Sequence, residues 1–145
     1  MKTRYSSLVT LKKNKMQKSE RVVQNANATL NSATTALEIS SQSIYELTQP
    51  HSGAMSDFLA SRTLLDSKRQ EIEHNKEWVA FAKAQLASSR EELKTDMIEY
   101  EKFKYLELQE IKKILQKQKI QEMKDLDEVA LMTHARNKEK LKKAV

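Results

Sequence analysis

The sequence has no cysteine, and its 145 residues include one glycine and one proline. Without cysteine the chain forms no disulfide bonds and has no thiolate chemistry. Sheets and compact domains need repeated turns rich in glycine and proline, so the scarcity of both argues against these folds. Aromatic residues make up only 6%, and no run of 18 apolar residues occurs. We therefore expect no membrane-spanning helix.

Two series of apolar residues with a seven-residue spacing are present, one on each side of residues 48–57 (TQPHSGAMSD), which hold the proline and the glycine. This spacing is typical of helices that pack as a coiled coil, and 32% charged residues suits long solvated helices. The first series is Val9, Met16, Val23, Leu30, Leu37 and Ile44; the second is Phe58, Leu65, Ile72, Val79, Leu86, Leu93 and Tyr100.

The pattern predicts an all-α fold: a long antiparallel two-helix coiled-coil hairpin with a longer, overhanging C-terminal helix. Helix one is predicted at about 3–48, the turn at 49–56 and helix two at about 57–143, all in a single coiled-coil domain over 1–145. Pro50 should end helix one, and Gly53 should allow the chain to reverse direction. A short connection between long helices implies antiparallel neighbours.

The register follows from placing Leu47 beside Phe58. Leu37 should then lie near residues 65–68 and Val9 near 93–97, so helix one covers helix two only to about Tyr100. The seven-residue spacing fails at Glu107, and the apolar residues beyond it shift to another face. Residues 101–143 are therefore predicted to overhang, covered by a partner or by another copy of the chain.

The seam is the line along which the two helices contact each other. In helix one its second set of positions lies three residues after the members of the apolar series. In the middle of the helix these positions are small or polar: Ser19, Ala26, Ala33 and Ser40. Small residues allow two helices to approach closely, although they bury little apolar area. The segment 24–43 is rich in Asn, Ser and Thr, which are mediocre helix formers. We therefore expect helix one to need its partner helix. Trp78 and Phe81 lie beside the Val79 position and are predicted to pack.

No group of residues in the sequence suggests catalysis. The three histidines (His51, His74 and His134) are too far apart in a rod to share a site, and one glycine cannot build a phosphate-binding loop. Carboxylates alternate with Lys and Arg at helical spacing, which is typical of solvated pairs. We predict that the chain is not an enzyme and has no catalytic, cofactor-binding or metal-binding residues.

Net charge is +6, and residues 1–23 carry seven basic groups against one acidic group. Such a patch can attract the phosphates of a nucleic acid, an anionic membrane surface or an acidic protein, or it can simply solvate a helix end. Tyr5 is the only aromatic residue there. We predict no nucleic-acid binding.

Tyr45 and Phe58 flank the turn, where they either close the tip of the hairpin or form an exposed contact for a partner.

The run from Lys124 to Arg136 resembles the C-terminal signature of the FliJ family of flagellar type III export proteins: a leucine followed by Asp-Glu, then alanine, then a basic residue. The matching positions are Leu126, Asp127, Glu128, Ala130 and Arg136. The start of the chain is also similar to the opening of that family, at Arg4, Tyr5, Leu8, Leu11 and Lys12. The length and the single mid-chain turn agree with it.

The resemblance implies a cytoplasmic, non-enzymatic protein at the cytoplasmic face of the inner-membrane export apparatus. Family members are similar in architecture to the central stalk of rotary ATPases. The implied partners are the hexameric flagellar export ATPase, the membrane export gate protein and export chaperones, with membrane association only through partners. Partner contacts would fall on a C-terminal group (Lys124, Leu126, Asp127, Glu128, Ala130 and Arg136) and on a tip pair (Tyr45 and Phe58).

Two other functions remain open from the sequence alone. One is a homo-oligomeric structural coiled-coil protein whose C-terminal ends associate with each other. The other is a basic helical adaptor that binds nucleic acid.

Overall fold

The computed structural model describes residues 2–144 and contains two α-helices. Helix α1 is Ser6–Tyr45 (40 residues) and helix α2 is Met55–Lys143 (89 residues). They pack against each other, and no strand occurs within residues 2–144, so the predicted all-α hairpin is confirmed. The described residues divide into two compact units: a central unit, Lys12–Glu99, and an end unit formed by residues 2–11 and 100–144. Neither helix is long and apolar enough, over the described residues, to cross a membrane.

Local hydrogen bonds decide where the helices begin. At the start of α1, Thr3 N–H donates to Ser6 Oγ (2.8 Å) and Tyr5 N–H donates to Thr3 Oγ1 (3.2 Å). These contacts satisfy backbone groups that have no partner in the first helical turn. At the start of α2, Asp57 N–H donates to the Ala54 carbonyl (2.9 Å). Gly53 precedes it with φ of 140°, a backbone conformation that favours glycine.

The seam of the central unit is narrow and its most buried residues are small. Ala33 and Ala82 are 0% and 1% exposed, whereas Leu30 and Leu37 of the first apolar series are only half-buried. The alanine side chain allows the backbones to approach closely. Among the large side chains of the two apolar series only Leu86 is buried, at 6% exposed. The predicted close approach at the small positions of helix one is therefore observed.

Hydrogen bonds between the helices define an antiparallel register that differs from the predicted one. Asn75 Nδ2 donates to Ser40 Oγ (3.0 Å), and Ser19 Oγ donates to Asp96. The residue numbers in each pair add up to 115, which puts Leu37 at about residue 78. The prediction of residues 65–68 was therefore wrong. The end unit agrees: Ser6 Oγ donates to Glu107 Oε1 (2.7 Å), which puts Val9 at about residue 104 rather than 93–97.

The connection between the helices explains this shift. Helix α1 ends at Tyr45, five residues before Pro50, and the nine residues 46–54 run back beside the first turns of α2. Leu47 and Pro50 share a groove with Ser61 and Leu65. Nine extended residues span up to about 30 Å, and the first 15 residues of α2 rise about 22 Å. The connection can therefore place the end of α1 beside residue 70 or so of α2 instead of beside Phe58.

The same shift moves the start of the unpaired part of α2. Ser6 contacts Glu107, Arg4 Nη2 lies 3.7 Å from Glu110 Oε2, and partly buried residues continue to Ile114. The apolar series is interrupted at Glu107, but the contact between the helices continues there, because the Glu107 carboxylate accepts the hydrogen bond from Ser6. The segment without a partner in the described chain is therefore residues 115–144, hereafter the tail, and not 101–143.

The register gives a direct prediction for cross-linking, since the natural sequence has no cysteine. We expect Ala26→Cys with Ser89→Cys to form an intramolecular disulfide, because their numbers also add up to 115 and both side chains are small. The matched control is Leu37→Cys with Lys68→Cys, which should remain reduced in the monomer. Non-reducing electrophoresis with mass measurement reads the result, and a link in the control pair but not in the first pair would contradict this register.

Candidate partner-binding surfaces

The tail carries a series of large apolar side chains exposed to solvent. Every residue from 115 to 144 is exposed. The exposed fractions of the large apolar side chains in this segment range from 46% at Leu115 to 70% at Leu141. Single exposed apolar residues are common on proteins, but within this group Met123, Leu126, Val129 and Met132 recur every three residues, so their side chains adjoin and form a candidate interaction surface. The group consists of Leu115, Ile120, Met123, Leu126, Val129, Leu131, Met132 and Leu141.

All six C-terminal residues singled out from the sequence lie on the tail. They are Lys124, Leu126, Asp127, Glu128, Ala130 and Arg136, and each is exposed. Leu126 and Ala130 are four residues apart and share one helix face. Neighbouring on that face are Met123 and Val129, which sequence reasoning left out although their helical spacing indicates them. Asp127 and Glu128 lie toward other faces, so the structure brings together the apolar members of the group but not all six.

Charge is unevenly distributed along the tail. Residues 122–128 contain four acidic side chains and one lysine, whereas residues 136–143 contain five basic side chains and one glutamate. Lys140, Lys142 and Lys143 fall in the last turn of α2, where positive charge is favourable beside the carboxyl end of the helix. We call residues 122–128 the acidic segment and residues 136–143 the basic segment.

The two predicted tip residues are exposed but do not form one cluster. Tyr45 is 88% exposed and Phe58 is 41% exposed. Phe58 lines an open groove with Pro50, Arg62 and Leu65, and Tyr45 is not among the residues that line it. Phe58 is outside the seam because α1 ends before it reaches that part of α2. An exposed contact therefore fits both residues better than closure of the hairpin.

A buried carboxylate lies in the seam of the central unit, and sequence reasoning did not identify it. Asp96 is 3% exposed, accepts a hydrogen bond from Ser19 Oγ and lies 3.5 Å from Lys15 Nζ. A second series in α2 also repeats every seven residues and lies three positions after the apolar series. It consists of the buried residues Asn75, Ala82, Ser89 and Asp96. Buried polar pairs of this kind fix the register of paired helices, because any slip leaves a polar group unpaired.

The basic N-terminal patch is partly neutralised within the molecule. In the central unit Lys12 Nζ lies 2.6 Å from Glu99 Oε2, and Lys15 contacts Asp96. The Lys12 hydrogen bond and its positive charge lower the pKa of Glu99. In the end unit Arg4 contacts Glu110. Three of the seven basic groups are therefore paired with acids of α2, which weakens the case for nucleic-acid binding.

An aromatic surface occurs on the outer side of α2. His74, Glu77, Trp78 and Phe81 line an open depression, with Trp78 37% and Phe81 61% exposed. The expectation that Trp78 and Phe81 pack in the seam is wrong for Phe81, which is exposed. The residues of α2 that lie in the seam here are Asn75, Val79 and Ala82. Among residues 2–144, no three His, Asp or Glu side chains are arranged to hold a metal ion.

These observations define a class: a helical-hairpin protein with a narrow polar seam and surfaces exposed at its tip and along its tail. Comparison with protein families identifies the family, since the model of the flagellar FliJ protein matches residues 1–139. The chain belongs to the FliJ family and is a flagellar, export-related protein. The resemblance noted from both ends of the sequence is thereby confirmed. Comparisons with curated proteins and with solved structures give no match.

Proposed function

We propose that this chain is a non-enzymatic stalk and coupling factor of the flagellar type III export ATPase, and that it also escorts export chaperones. The observation that carries the proposal is the tail, a continuous helix from residue 115 to Lys143 that is exposed on all sides. A soluble helix with this many exposed apolar side chains needs a partner to cover them. Because the chain belongs to a flagellar, export-related family, we propose that this partner is a component of the export apparatus.

The hexameric export ATPase is the proposed partner of the tail. A single α-helix with its side chains is about 10–12 Å wide, which suits the central opening of a ring. The apolar face with Leu126 and Ala130 would contact the ring, and the charged residues Lys124, Asp127, Glu128 and Arg136 would meet its polar loops. Because charges of both signs surround the helix, contacts with several ring subunits are possible without one fixed orientation.

The membrane export gate protein is the proposed partner of the tip. Tyr45 and Phe58 are exposed aromatic residues near the connection, and aromatic residues are frequent anchors of protein interfaces. In this arrangement the protein lies in the cytoplasm at the inner-membrane face, held there only through its partners. The outer aromatic surface of His74, Trp78 and Phe81 is the proposed docking site for export chaperones.

The test of the proposal is biochemical. The purified chain is added in increasing amounts to the export ATPase from the same bacterium, and ATP hydrolysis and hexamer formation are measured. A coupling factor should raise both, and the effect should saturate at fewer chains than ATPase subunits. An unchanged hydrolysis rate and unchanged assembly of the ATPase would remove the coupling role.

We predict that the double substitution Tyr45→Ala and Phe58→Ala impairs flagellar protein export several-fold without changing helical content. Both side chains are exposed, so truncating them removes partner contacts but little internal packing. Export is measured as flagellin secreted per cell, and helical content by circular dichroism. Ile98→Ala is the matched control, because Ile98 is an exposed apolar residue of the central unit that is 60% exposed. If the double variant exports as well as this control, the tip is not a binding site.

A further inference from the structure

We propose that α2 carries a further partner-binding surface, which recognises an acidic α-helix of another protein whose carboxylates repeat every seven residues. The surface is a series of basic residues with the same spacing, hereafter the basic stripe: Arg62, Arg69, Lys76, Lys83 and Arg90. All five residues are exposed and lie in the central unit. No other series of basic residues with this spacing in the sequence has more than two members, so the basic stripe is not simply a result of the high lysine and arginine content.

The basic stripe runs along one edge of the seam. Each of its residues lies four positions after a member of the apolar series of α2, so it is the next residue outward on that side of the helix. The hydrogen bonds of Asn75 with Ser40 and of Asp96 with Ser19 lie on the opposite side of the seam. Seven residues rise about 10.5 Å, so the five charges extend in a nearly straight line over about 42 Å.

Helix α1 does not supply the acidic residues that would complement the basic stripe. Charged residues beside a coiled-coil seam commonly pair with opposite charges on the neighbouring helix. The register places Lys83 opposite residue 32 of α1 and Arg90 opposite residue 25, and residues 21–37 contain no acidic residue. The side chains of α1 that flank the seam there are neutral, as at Asn27 and Thr34. The middle of the basic stripe therefore has no anionic neighbour on α1.

Helix α2 neutralises only two members of the basic stripe. Arg69 lies 3.9 Å from Asp66, and Lys76 lies 3.3 Å from Glu73. Arg62, Lys83 and Arg90 form no ion pair within residues 2–144. Around Lys83 and Arg90, the positions three and four residues away hold no acid: Val79, Ala80, Leu86, Ala87, Leu93 and Lys94. Because exposed pairs along one helix are weak, all five charges remain available to a partner.

The spacing of the charges favours a helix as the occupant. A partner helix with one carboxylate every seven residues has the same repeat of about 10.5 Å, so its carboxylates meet successive members of the basic stripe. A nucleic-acid strand carries a charge about every 3.4 Å and gains nothing from the longer repeat. Ala80, Ala84 and Ala87 are exposed beside Lys83 and are small enough to allow a helix to approach.

The occupant is another protein and not a second copy of this chain. No series of Asp and Glu with seven-residue spacing in the sequence has more than two members, so the chain offers no complement to five basic residues. The middle of the basic stripe is also separate from the tail and from the tip residues Tyr45 and Phe58. A test at Lys83 and Arg90 therefore has an outcome that does not depend on the proposed coupling role.

The test measures binding of a labelled helical peptide to the full-length chain by fluorescence anisotropy at low salt. The peptide has four heptads of alanine and glutamine with glutamate at one position of each heptad. It should bind saturably, and added salt should weaken the binding because the pairs are exposed. A peptide of the same composition with its glutamates at positions that do not repeat should bind at least about fivefold more weakly. The double variant Lys83→Glu and Arg90→Glu should bind the first peptide at least about tenfold more weakly.

Two controls make the result specific. Lys18→Glu with Arg21→Glu reverses two exposed charges of α1 outside the basic stripe and should leave peptide binding unchanged. A peptide whose two central glutamates are replaced by lysine should bind the Lys83→Glu and Arg90→Glu variant better than it binds the wild type, which shows that the variant is folded and that the charges meet directly.

Four outcomes overturn the proposal. They are no saturable binding of the first peptide, equal binding of the two glutamate peptides, an equal loss in the α1 control variant, and no recovery with the lysine peptide. Duplex DNA is measured in the same way. If DNA binds and loses affinity in the double variant while the peptide does not bind, the basic stripe is a nucleic-acid site and the proposal is wrong.

Discussion

Deleting residues 122–145 should abolish the stimulation of the export ATPase while the hairpin stays folded. The deletion removes most of the exposed apolar side chains of the tail and all five residues that match the family signature. Within residues 2–144, the partly buried residue of α2 nearest the C-terminus is Ile114, so the deletion leaves the described contacts between the helices intact. Loss of activity with retained folding is therefore the expected combination. The measurements are ATP hydrolysis with increasing amounts of the chain, and circular dichroism of the truncated protein.

A point substitution provides a finer version of the same test. Leu126→Glu places a charge in the centre of the apolar face and should reduce stimulation by about tenfold or more, since truncation or polar replacement of an interface anchor costs about 2 kcal/mol. Ile98→Glu is the matched control, because Ile98 has a similar exposure on the central unit. The assignment of the tail to the ATPase is wrong if the truncated protein still stimulates hydrolysis fully. It is also wrong if the two point variants behave alike.

Replacing Ala33 by Leu should destabilise the hairpin by about 1–3 kcal/mol, the usual cost of inserting methylene groups into a packed site. Ala33 has no exposed surface, and the register places it opposite Ala82, which is 1% exposed. A leucine there cannot fit unless the helices separate, and separation would also lengthen the Asn75 to Ser40 hydrogen bond, which is 3.0 Å. Urea unfolding followed by circular dichroism measures the change in the free energy of unfolding.

Ala28→Leu is the matched control for this prediction. Ala28 lies on the same helix but is exposed, so the added side chain meets water and the change should stay within about 0.5 kcal/mol. The comparison separates packing at the seam from helix propensity, because both variants make the same replacement in the same helix. Equal stability of the two variants would show that the helices are not in close contact at Ala33.

The sequence alone predicted the helices and the reversal between them. Seven-residue spacing of apolar residues gives a helix one continuous face, and a single Pro and Gly cluster allows only one reversal. Both signals are local, because they depend on the periodicity of one helix and on the allowed backbone angles of a few residues. The exposure of Leu126 and Arg136 also followed from the sequence, since α1 is too short to cover the end of α2 in any plausible register.

The register, by contrast, was decided by tertiary structure. A tight turn, with the two apolar series matched end to end, would place Leu47 beside Phe58. The nine-residue connection instead lies along α2, and the polar pairs of Asn75 with Ser40 and of Asp96 with Ser19 select one alignment. Apolar contacts tolerate a slip along the seam, whereas a buried amide or carboxylate that loses its partner is costly.

The exposed surfaces show the same division between local and tertiary information. A charged or apolar residue on a helix can be assigned a face from its spacing, which is why the tail residues could be named in advance. Whether that face contacts α1 or solvent depends on the register. In the observed register Phe58 lies outside the seam, and Glu107 accepts a hydrogen bond from α1. The chain sequence thus determined two long amphipathic helices, and the buried polar pairs, together with the length of the connection, determined which surfaces they leave open.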